Sequence, residues 1–398
     1  MLLVGSGARE HALAWRIASS PSLTELHAAP GNPGIAALGA CHPVRADDRD
    51  GLLGLAVTLS VDLVVIGPEA PLVAGVGDEL RHAGIAVFGP GADAARIEGS
   101  KTFAKAVMAA AGVPCAATLS VARPPCVIKA DGLAAGKGVF VCRTPDELDR
   151  GLRAAAVLGP SIVIEELLEG PELSLFALCD GRRAVPLGAA RDYKRVGEAD
   201  TGPNTGGMGA YSPAGAGQAA ALVEQIHQPV LDELARRGAP FVGCLFAGLM
   251  LTADGPRVLE FNARLGDPET QALLPRLEGD VLAAMAAASG GDAGRVPLRQ
   301  SADAAVTVVL AGPEYPDRSD YTGAPIAGLD DATADALVFQ GGTAVQNGRV
   351  ITNGGRILSV TALAPTFAEA RTRAYRAVDK VNFEGMRFRR DIAAAVDG

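Results

Sequence analysis

The chain has 398 residues, 48% apolar, 20% charged and 4% aromatic, and a formal net charge of −9. That is ample material for buried cores in two to four domains, and it excludes a disordered chain or a coiled coil. The acidic balance argues against a general nucleic-acid binder, and no run approaches the roughly 18 uninterrupted apolar residues of a membrane span. Six cysteines at 41, 115, 126, 142, 179 and 244 show no C-x-x-C spacing and read as reduced, mostly buried thiols. The first apolar run stops at Gly5 and does not read as a secretory signal, so a cytoplasmic location is expected.

Residues 1–98 alternate strand and helix signals: strands at Met1–Val4, Leu26–Ala29, Val61–Ile66 and Ile85–Phe88, with a helix at Glu10–Ser19. This βαβ rhythm predicts an open parallel sheet whose ligands bind beyond the carboxyl ends of the strands. Gly5-Ser6-Gly7-Ala8-Arg9-Glu10 falls between the first strand and the helix. A dinucleotide fits it poorly, because Glu10 takes the third glycine position and the second strand ends in Ala29-Pro30 rather than an acid. The glycines leave backbone N–H groups open at a helix N-terminus and Arg9 adds a fixed charge, so a monophosphate site is favoured over a plain turn. On the same rim lie Asn32, in Pro30-Gly31-Asn32-Pro33-Gly34, and Glu69 and Pro71, in Gly67-Pro68-Glu69-Ala70-Pro71. Each run has turn chemistry, but polar groups at strand ends also suit a ligand.

Ser100 caps a helix running to about Ala111, with Lys101 and Lys105 on one face. Such pairs are usually solvated; a position between domains makes these two candidates. The strand Pro125–Ala130 carries Lys129, and Asp131–Gly138 leads to a returning strand, Val139–Cys142. Gly136-Lys137-Gly138 lacks the Ser/Thr and helix of a Walker loop and reads as a flap over triphosphate oxygens. An unpaired ammonium in an apolar strand is costly, so Lys129 is expected to have a phosphate partner. Thr144-Pro145-Asp146-Glu147 is a capping box opening a helix to about Leu158. After the strand Ser161–Glu165, the run Glu165-Glu166-Leu167-Leu168-Glu169-Gly170-Pro171-Glu172 is either a solvated linker or an adenine slot, with Glu172 on the ribose.

Asp192–Pro213 is a long loop of varied polar residues and close glycines, a pattern that suits function. A helix near 218–237, bent at Pro229, returns to a hairpin with arms at Phe246–Leu251 and from Arg257. Strand alternation puts Glu260, Asn262 and Arg264 on one face and Leu259 and Phe261 on the other. A carboxylate, an amide oxygen and a guanidinium together can hold Mg2+ and the phosphates it bridges. A half-exposed strand with a salt bridge is the plainer reading. Asp267 and Glu269 just beyond, and the flap upstream, favour the metal end of a nucleotide site. Residues 300–398 read as a separate α/β unit with strands Ala304–Leu310, Ala336–Gly341 and Ile357–Leu363 and a helix Thr366–Val381. It carries no obvious chemistry and its expected role is packing against the catalytic body, although Asn353-Gly354-Gly355-Arg356 could reach the active rim.

Strand lysine, glycine-rich flap, acidic hinge and Glu-x-Asn-x-Arg on a late strand resemble the ATP-grasp superfamily. The runs Gly5–His11, Ala29–Gly34, Gly67–Leu72, Glu98–Lys101, Val127–Val139, Lys194–Pro213 and Glu260–Gln271 resemble its phosphoribosylamine–glycine ligase family. The resemblance covers nearly the whole chain, and Thr201–Pro213 is its most specific run. It implies an α/β protein with a Rossmann-like substrate domain at 1–98 and an ATP-grasp domain of two subdomains at 99–290. The lid would span about 115–180, and a small C-terminal α/β domain 291–398. The implied reaction joins glycine to 5-phosphoribosylamine with ATP, through glycyl phosphate, giving glycinamide ribonucleotide, ADP and phosphate in the second step of de novo purine biosynthesis. No protein nucleophile is required. The resemblance assigns ATP to Lys105, Lys129, Gly136, Lys137, Gly138, Glu165, Glu166, Leu168 and Glu172, and Mg2+ or Mn2+ to Glu260 and Asn262. It assigns the substrates to Gly5, Gly7, Arg9, Glu10, Asn32, Glu69, Pro71, Lys101, Asn204, Thr205, Gly206 and Met208, and catalysis to Arg264, Lys129, Asp192 and Asp267. A monomer or weak homo-oligomer without nucleic-acid or membrane partners is expected. The sequence departs from the family in its lid: only about ten residues stand where a helix usually lies between Pro114 and the Lys129 strand. A different ATP-grasp carboxylate–amine ligase or carboxylase would not need Thr201–Pro213, and a non-catalytic nucleotide sensor would not need the metal face.

Overall fold

The computed structural model describes residues 1–134, 137–215 and 217–396. Its N-terminal region is a five-stranded, all-parallel sheet in the order Ala40–Cys41, His27–Pro30, Leu2–Gly5, Leu63–Ile66, Ala86–Phe88. The two central strands are fully buried apolar runs, as a sheet covered on both faces requires. Strand order reverses beside Leu2–Gly5, and the loops after the two central strands, at Gly5–Gly7 and Gly67–Glu69, leave from this switch point. The two-residue strand Ala40–Cys41 is too short to carry a period and is not legible in the sequence.

Beyond the helix Lys101–Ala111, which Ser100 caps and Gly112 ends in left-handed backbone, comes a three-stranded antiparallel lid. Its order is Val139–Cys142, Cys126–Ala130, Ile162–Glu166, backed by the helix Pro145–Leu158. Thr144 and Glu147 form the expected capping box: the Thr144 hydroxyl accepts from Glu147 N–H (3.3 Å) and the Glu147 carboxylate from Thr144 N–H (3.0 Å). No helix occurs between Pro114 and Cys126; the chain there is extended and bridges to Val258 and Glu165. The trimmed lid is therefore real.

The main sheet has eight strands in the order Gly255–Asn262, Val242–Thr252, Glu172–Asp180, Ala184–Asp192, Gly209–Ser212, Ala304–Ala311, Arg356–Ala364, Leu337–Gln340. It runs without a break from the hairpin that carries Glu260 and Asn262 into the C-terminal strands, joined where Gly209–Ser212 pairs with Ala304–Ala311. Arg276 reinforces that join, donating to the Ser212 hydroxyl (2.9 Å) and to the carbonyls of Ser301 and Asp303 (2.7 and 2.6 Å). The expected bent helix is two helices, Ala219–Leu222 and Gln228–Arg236, separated by a π-turn at Val223–His227 just before Pro229, which has no N–H for the helical ladder. A small sheet of Thr322–Pro325, Arg349–Asn353 and Thr343–Gln346 completes the C-terminal region. No helix among the described residues is long and apolar enough to cross a membrane, and all six cysteines are free.

The hairpin differs from simple alternation in one respect. Gly248 pairs with Glu260 but Leu249 with Val258, so Leu259 is an extra, bulged residue. Val258 and Phe261 face the core, and Leu259, expected beside Phe261, is only half-buried. The bulge leaves the Leu259 carbonyl outside the ladder.

Candidate active site

The N-terminal rim is organised by Glu10. Its carboxylate accepts the Gly7 N–H (2.7 Å) and the Arg9 Nε (2.6 Å). A Cβ on Gly5, which lies at φ +127°, would stand 2.5 Å from Glu10 Cγ, and one on Gly67 would stand 2.3 Å from Glu10 Oε1. These glycines admit a buried carboxylate, in the crevice where a dinucleotide pyrophosphate would otherwise approach. This corrects the expectation of an open helix N-terminus, since the Gly7 N–H already has an internal anion. Arg9 also donates to the Leu265 carbonyl (3.1 Å) and reaches Glu69 at 3.9 Å. Asn32 is likewise engaged: its amide donates to the carbonyls of Ser6 (2.8 Å) and Gln340 (2.7 Å), and its oxygen caps Ile35. Pro71 is buried in the short helix Glu69–Val73.

Arg264 lies between two carboxylates, Glu98 at 2.9 Å and Glu69 at 3.1 Å. Glu98 also accepts from the Asn262 amide (3.1 Å) and the Ala263 N–H (2.7 Å). Burial pushes both acids up, but at Glu69 the guanidinia of Arg264 and Arg9 outweigh it and hold the carboxyl at about 2. Burial dominates at Glu98, and its carboxyl is raised despite Arg264. One guanidinium cannot neutralise two desolvated carboxylates equally. Asp267 follows, half-buried yet held below the usual range by Arg356, Arg9 and a hydrogen bond from Gln271 (2.8 Å). Arg356, from the C-terminal region, stands 3.1 Å from the Asp267 carboxylate and donates to the Gly206 carbonyl at 2.6 Å. The Tyr315 hydroxyl accepts the Gly206 N–H at 2.8 Å.

A lysine cluster lies across the Asn262 strand. Glu165, buried in the lid, pairs with Lys129 (2.7 Å) and Lys105 (2.8 Å). Lys129 also donates to the Leu259 carbonyl exposed by the bulge (2.7 Å). The premise that Lys129 lacks a protein partner is therefore corrected, because an acid on the neighbouring strand supplies one. Two ammonium groups around one carboxylate still leave a net positive charge. Lys101 belongs here rather than with Arg9: it donates to the Gly132 carbonyl of the flap at 2.9 Å. Burial lowers its pKa, Glu260 working against this and Lys129 with it. Lys137 is exposed, Gly138 is buried and pairs its carbonyl with Ala130 N–H (2.8 Å), and Gly136 lies outside the described residues. Glu166 uses its carboxylate to accept Ala117 N–H (2.7 Å), and Leu168 is half-buried in the hinge.

The long loop contributes Lys194, which ion-pairs with Glu172. Asp192 is raised by burial and by Glu269 and Glu172 against the pull of Lys194. Glu269, raised by its own burial, accepts the Ser174 hydroxyl at 3.1 Å. Asn204 reaches the Val139 carbonyl of the lid at 3.5 Å. Thr205 and Met208 turn inward: the Thr205 hydroxyl closes the loop between Lys194 carbonyl and Gly207 N–H (both 2.9 Å), and Met208 packs with Ala311 and Tyr315. Among the described residues no three His, Cys, Asp or Glu side chains form a metal cluster. Glu260 and Asn262 fit a hydrated Mg2+, since the Asn262 amide nitrogen is committed to Glu98 and its oxygen has no donor among the described residues. Sequence reasoning passed over Glu98, Arg356 and Tyr315 as site residues. Glu98 opens the run Glu98–Lys101 and Arg356 ends the one C-terminal run singled out; Tyr315 has no local signal.

A lysine cluster under an antiparallel lid and an arginine–carboxylate cluster beside a parallel sheet, joined by one strand, make this an ATP-grasp enzyme in architecture. Residues 1–98, 99–270 and 305–395 match, respectively, the N domain, the ATP-grasp (A) domain and the C domain of phosphoribosylglycinamide synthetase. The chain is 50% identical to phosphoribosylamine–glycine ligase of Streptomyces coelicolor, over 100% of this chain and 99% of that one. It is 47% identical to the enzyme of that name from Rhizobium meliloti, over 98% and 97%. The crystal structure of the Thermotoga maritima phosphoribosylamine–glycine ligase superposes with a TM-score of 0.85 at 34% identity, covering 98% and 99% of the two chains. The biotin carboxylase domain of Hydrogenobacter thermophilus 2-oxoglutarate carboxylase, solved with MgADP and bicarbonate, shares the fold at a TM-score of 0.68 and 16% identity, over 97% and 91%. The chain belongs to the phosphoribosylglycinamide synthetase family.

Proposed function

We propose that this protein ligates glycine to 5-phosphoribosylamine with ATP, giving glycinamide ribonucleotide, ADP and phosphate in de novo purine biosynthesis. One observation carries the reading beyond the family. Arg264, two residues past Asn262 of the metal face, pairs with Glu98 and Glu69 on the acceptor side, so phosphoryl transfer and acceptor meet at one strand end. A glycine carboxylate oxygen attacks the γ-phosphorus and the bond to the ADP oxygen breaks. The nitrogen of phosphoribosylamine then attacks the carbonyl carbon of glycyl phosphate, the bond to phosphate breaks and the amine loses a proton. Lys105, Lys129 and the flap balance phosphate charge; Glu260 and Asn262 would hold Mg2+ or Mn2+, which supplies further neutralisation of the phosphates. Arg264 steadies charge developing at the acyl centre, with Arg9 and Arg356 as the cations nearest the acceptor. Asp192, Asp267 and Asn204 are assigned to glycine and the reacting amine. The protein is taken to work in the cytoplasm as a monomer or weak homo-oligomer, without nucleic acid or membrane.

The test is glycine-dependent ADP formation, with phosphoribosylamine generated from ribose 5-phosphate and ammonia. ADP only when both substrates are present, abolished in Glu260→Ala, supports the ligase and the metal face together. ATP binding without stimulation by either substrate sinks the assignment and turns the search to other carboxylates and amines.

A further inference from the structure

The loop that carries Lys194 and Asn204 is held from outside the site, by the end of the chain. Within it Arg195–Gly197 and Thr201–Asn204 pair as a small antiparallel ribbon. At the tip Ala199 and Asp200 both adopt left-handed backbone, at φ 51° and 52°. Aspartate enters that region readily, but an alanine such as Ala199 stays there only when its surroundings impose it. The surroundings are the C-terminal tail. Asp391 accepts the Ala199 N–H (2.9 Å), and Glu198 accepts the Arg390 N–H (3.1 Å).

Between these contacts lies Arg389, only 1% exposed. Its Nε and Nη2 fork onto Asp391 (2.8 and 2.7 Å), while Nη1 reaches the Asp200 carboxylate (2.8 Å) and the Arg195 carbonyl (3.0 Å). The guanidinium also sits 4.9 Å from the Tyr193 ring centroid, and the Tyr193 hydroxyl accepts the Ala393 N–H at 2.9 Å. The residues on both sides of Lys194 are thus fixed by one side chain. Lys194 in turn pairs with Glu172 at the hinge, and Asn204 touches the lid strand.

We infer that Arg389 is a positioning residue for the ligase reaction: it pins the ribbon so that Lys194 and Asn204 are presented to the site and the lid. The inference rests on the function proposed above and assigns Arg389 no contact with substrate. A buried ion cluster that served stability alone could be replaced by apolar packing without touching the kinetic constants. A positioning role separates the constants.

The test compares Arg389→Met, Arg389→Lys and Asp200→Asn with the full-length wild type. In Arg389→Met, kcat/KM for glycine is expected to fall at least about ten-fold, with a smaller rise in KM for ATP transmitted through Lys194 and Glu172. Arg389→Lys keeps the charge but loses the fork and falls between. Ala199→Gly tolerates the left-handed backbone without help, so adding it to Arg389→Lys should restore part of the loss. Constants within two-fold of wild type across the series, whatever the melting temperature, overturn the proposal. If Arg389→Met does not fold, the lysine and Asp200→Asn variants carry the same decision. Hydrogen exchange over residues 193–204 needs no substrate and separates this proposal from the function. Unchanged protection in Arg389→Lys sinks the clamp whether or not the wild type makes glycinamide ribonucleotide.

Discussion

Arg356 stands 3.1 Å from the Asp267 carboxylate and also donates to the Asp267 carbonyl at 2.7 Å, binding the C-terminal region to the turn that follows the Glu260–Asn262 strand end. Its third contact, the Gly206 carbonyl, adds the long substrate loop to the same guanidinium. Arg356 is raised and Asp267 lowered, each by the other against burial, so both partners report the same pairing. Removing either leaves a largely buried charge without its partner. Arg356→Met and Asp267→Asn are each expected to lower kcat/KM for phosphoribosylamine about 10- to 100-fold, roughly 1.4–2.8 kcal/mol. The double variant should cost clearly less than the sum of the two. Steady-state kinetics of the four proteins check this, and strict additivity would show that the pair does not act as a unit.

That contact also marks the limit of what the sequence discloses. The parallel sheet, the lid strands, the capping box at Thr144 and the metal-face hairpin are local patterns, set by period, turn residues and caps. Glu260 and Asn262 lie two apart on one strand, so alternation alone puts them on one face. The Leu259 bulge is invisible because it arises from pairing with Val242–Thr252, and with it goes the carbonyl that Lys129 uses. Glu165 as the partner of Lys129 depends on cross-strand register, Lys129 standing opposite Val163 and Val127 opposite Glu165. Arg356, Tyr315 and Arg389 reach their partners through sheet continuation and a returning tail, which no window of sequence contains. Asn32, Thr205 and Met208 illustrate the converse. Their types suit a ligand, but each is held by neighbours already in the fold.

Glu69 gives a pH dependence with a definite sign. Its folded pKa of about 2 lies below the unfolded value of roughly 4.3, so the unfolded chain binds more protons between them. The stabilisation is fully present above the unfolded pKa and is lost as pH falls through about 2. Glu98 works in the opposite sense, since its raised carboxyl makes its contribution less favourable as pH rises. Glu69→Gln is expected to destabilise the protein by about 1–3 kcal/mol at pH 7, measured by urea unfolding. The gap from wild type should narrow steadily below about pH 4. A gap that stays constant from pH 7 to about 2.5 would mean that pairing with Arg264 and Arg9 is not its source.

Lys129 and Lys105 share Glu165, which is only 3% exposed, and this arrangement separates charge from geometry at the nucleotide end. Lys129→Met removes one of the two cations paired with Glu165, which the proposed function sets against the phosphates, and leaves Glu165 with Lys105 alone. ADP–Mg2+ affinity is expected to fall about 10- to 100-fold, with a stability loss of about 1–3 kcal/mol from the less compensated acid. Glu165→Gln removes the anion instead. It should also destabilise the lid, because two ammonium groups then crowd one neutral amide, but it leaves both cations for the nucleotide. Its ADP–Mg2+ affinity is therefore expected to stay within about three-fold of wild type, or to tighten. Calorimetric titration and urea unfolding of the two variants distinguish these effects. Wild-type nucleotide affinity in Lys129→Met would remove Lys129 from the phosphate site, while a collapse of affinity in Glu165→Gln would make lysine placement, rather than charge, the controlling quantity.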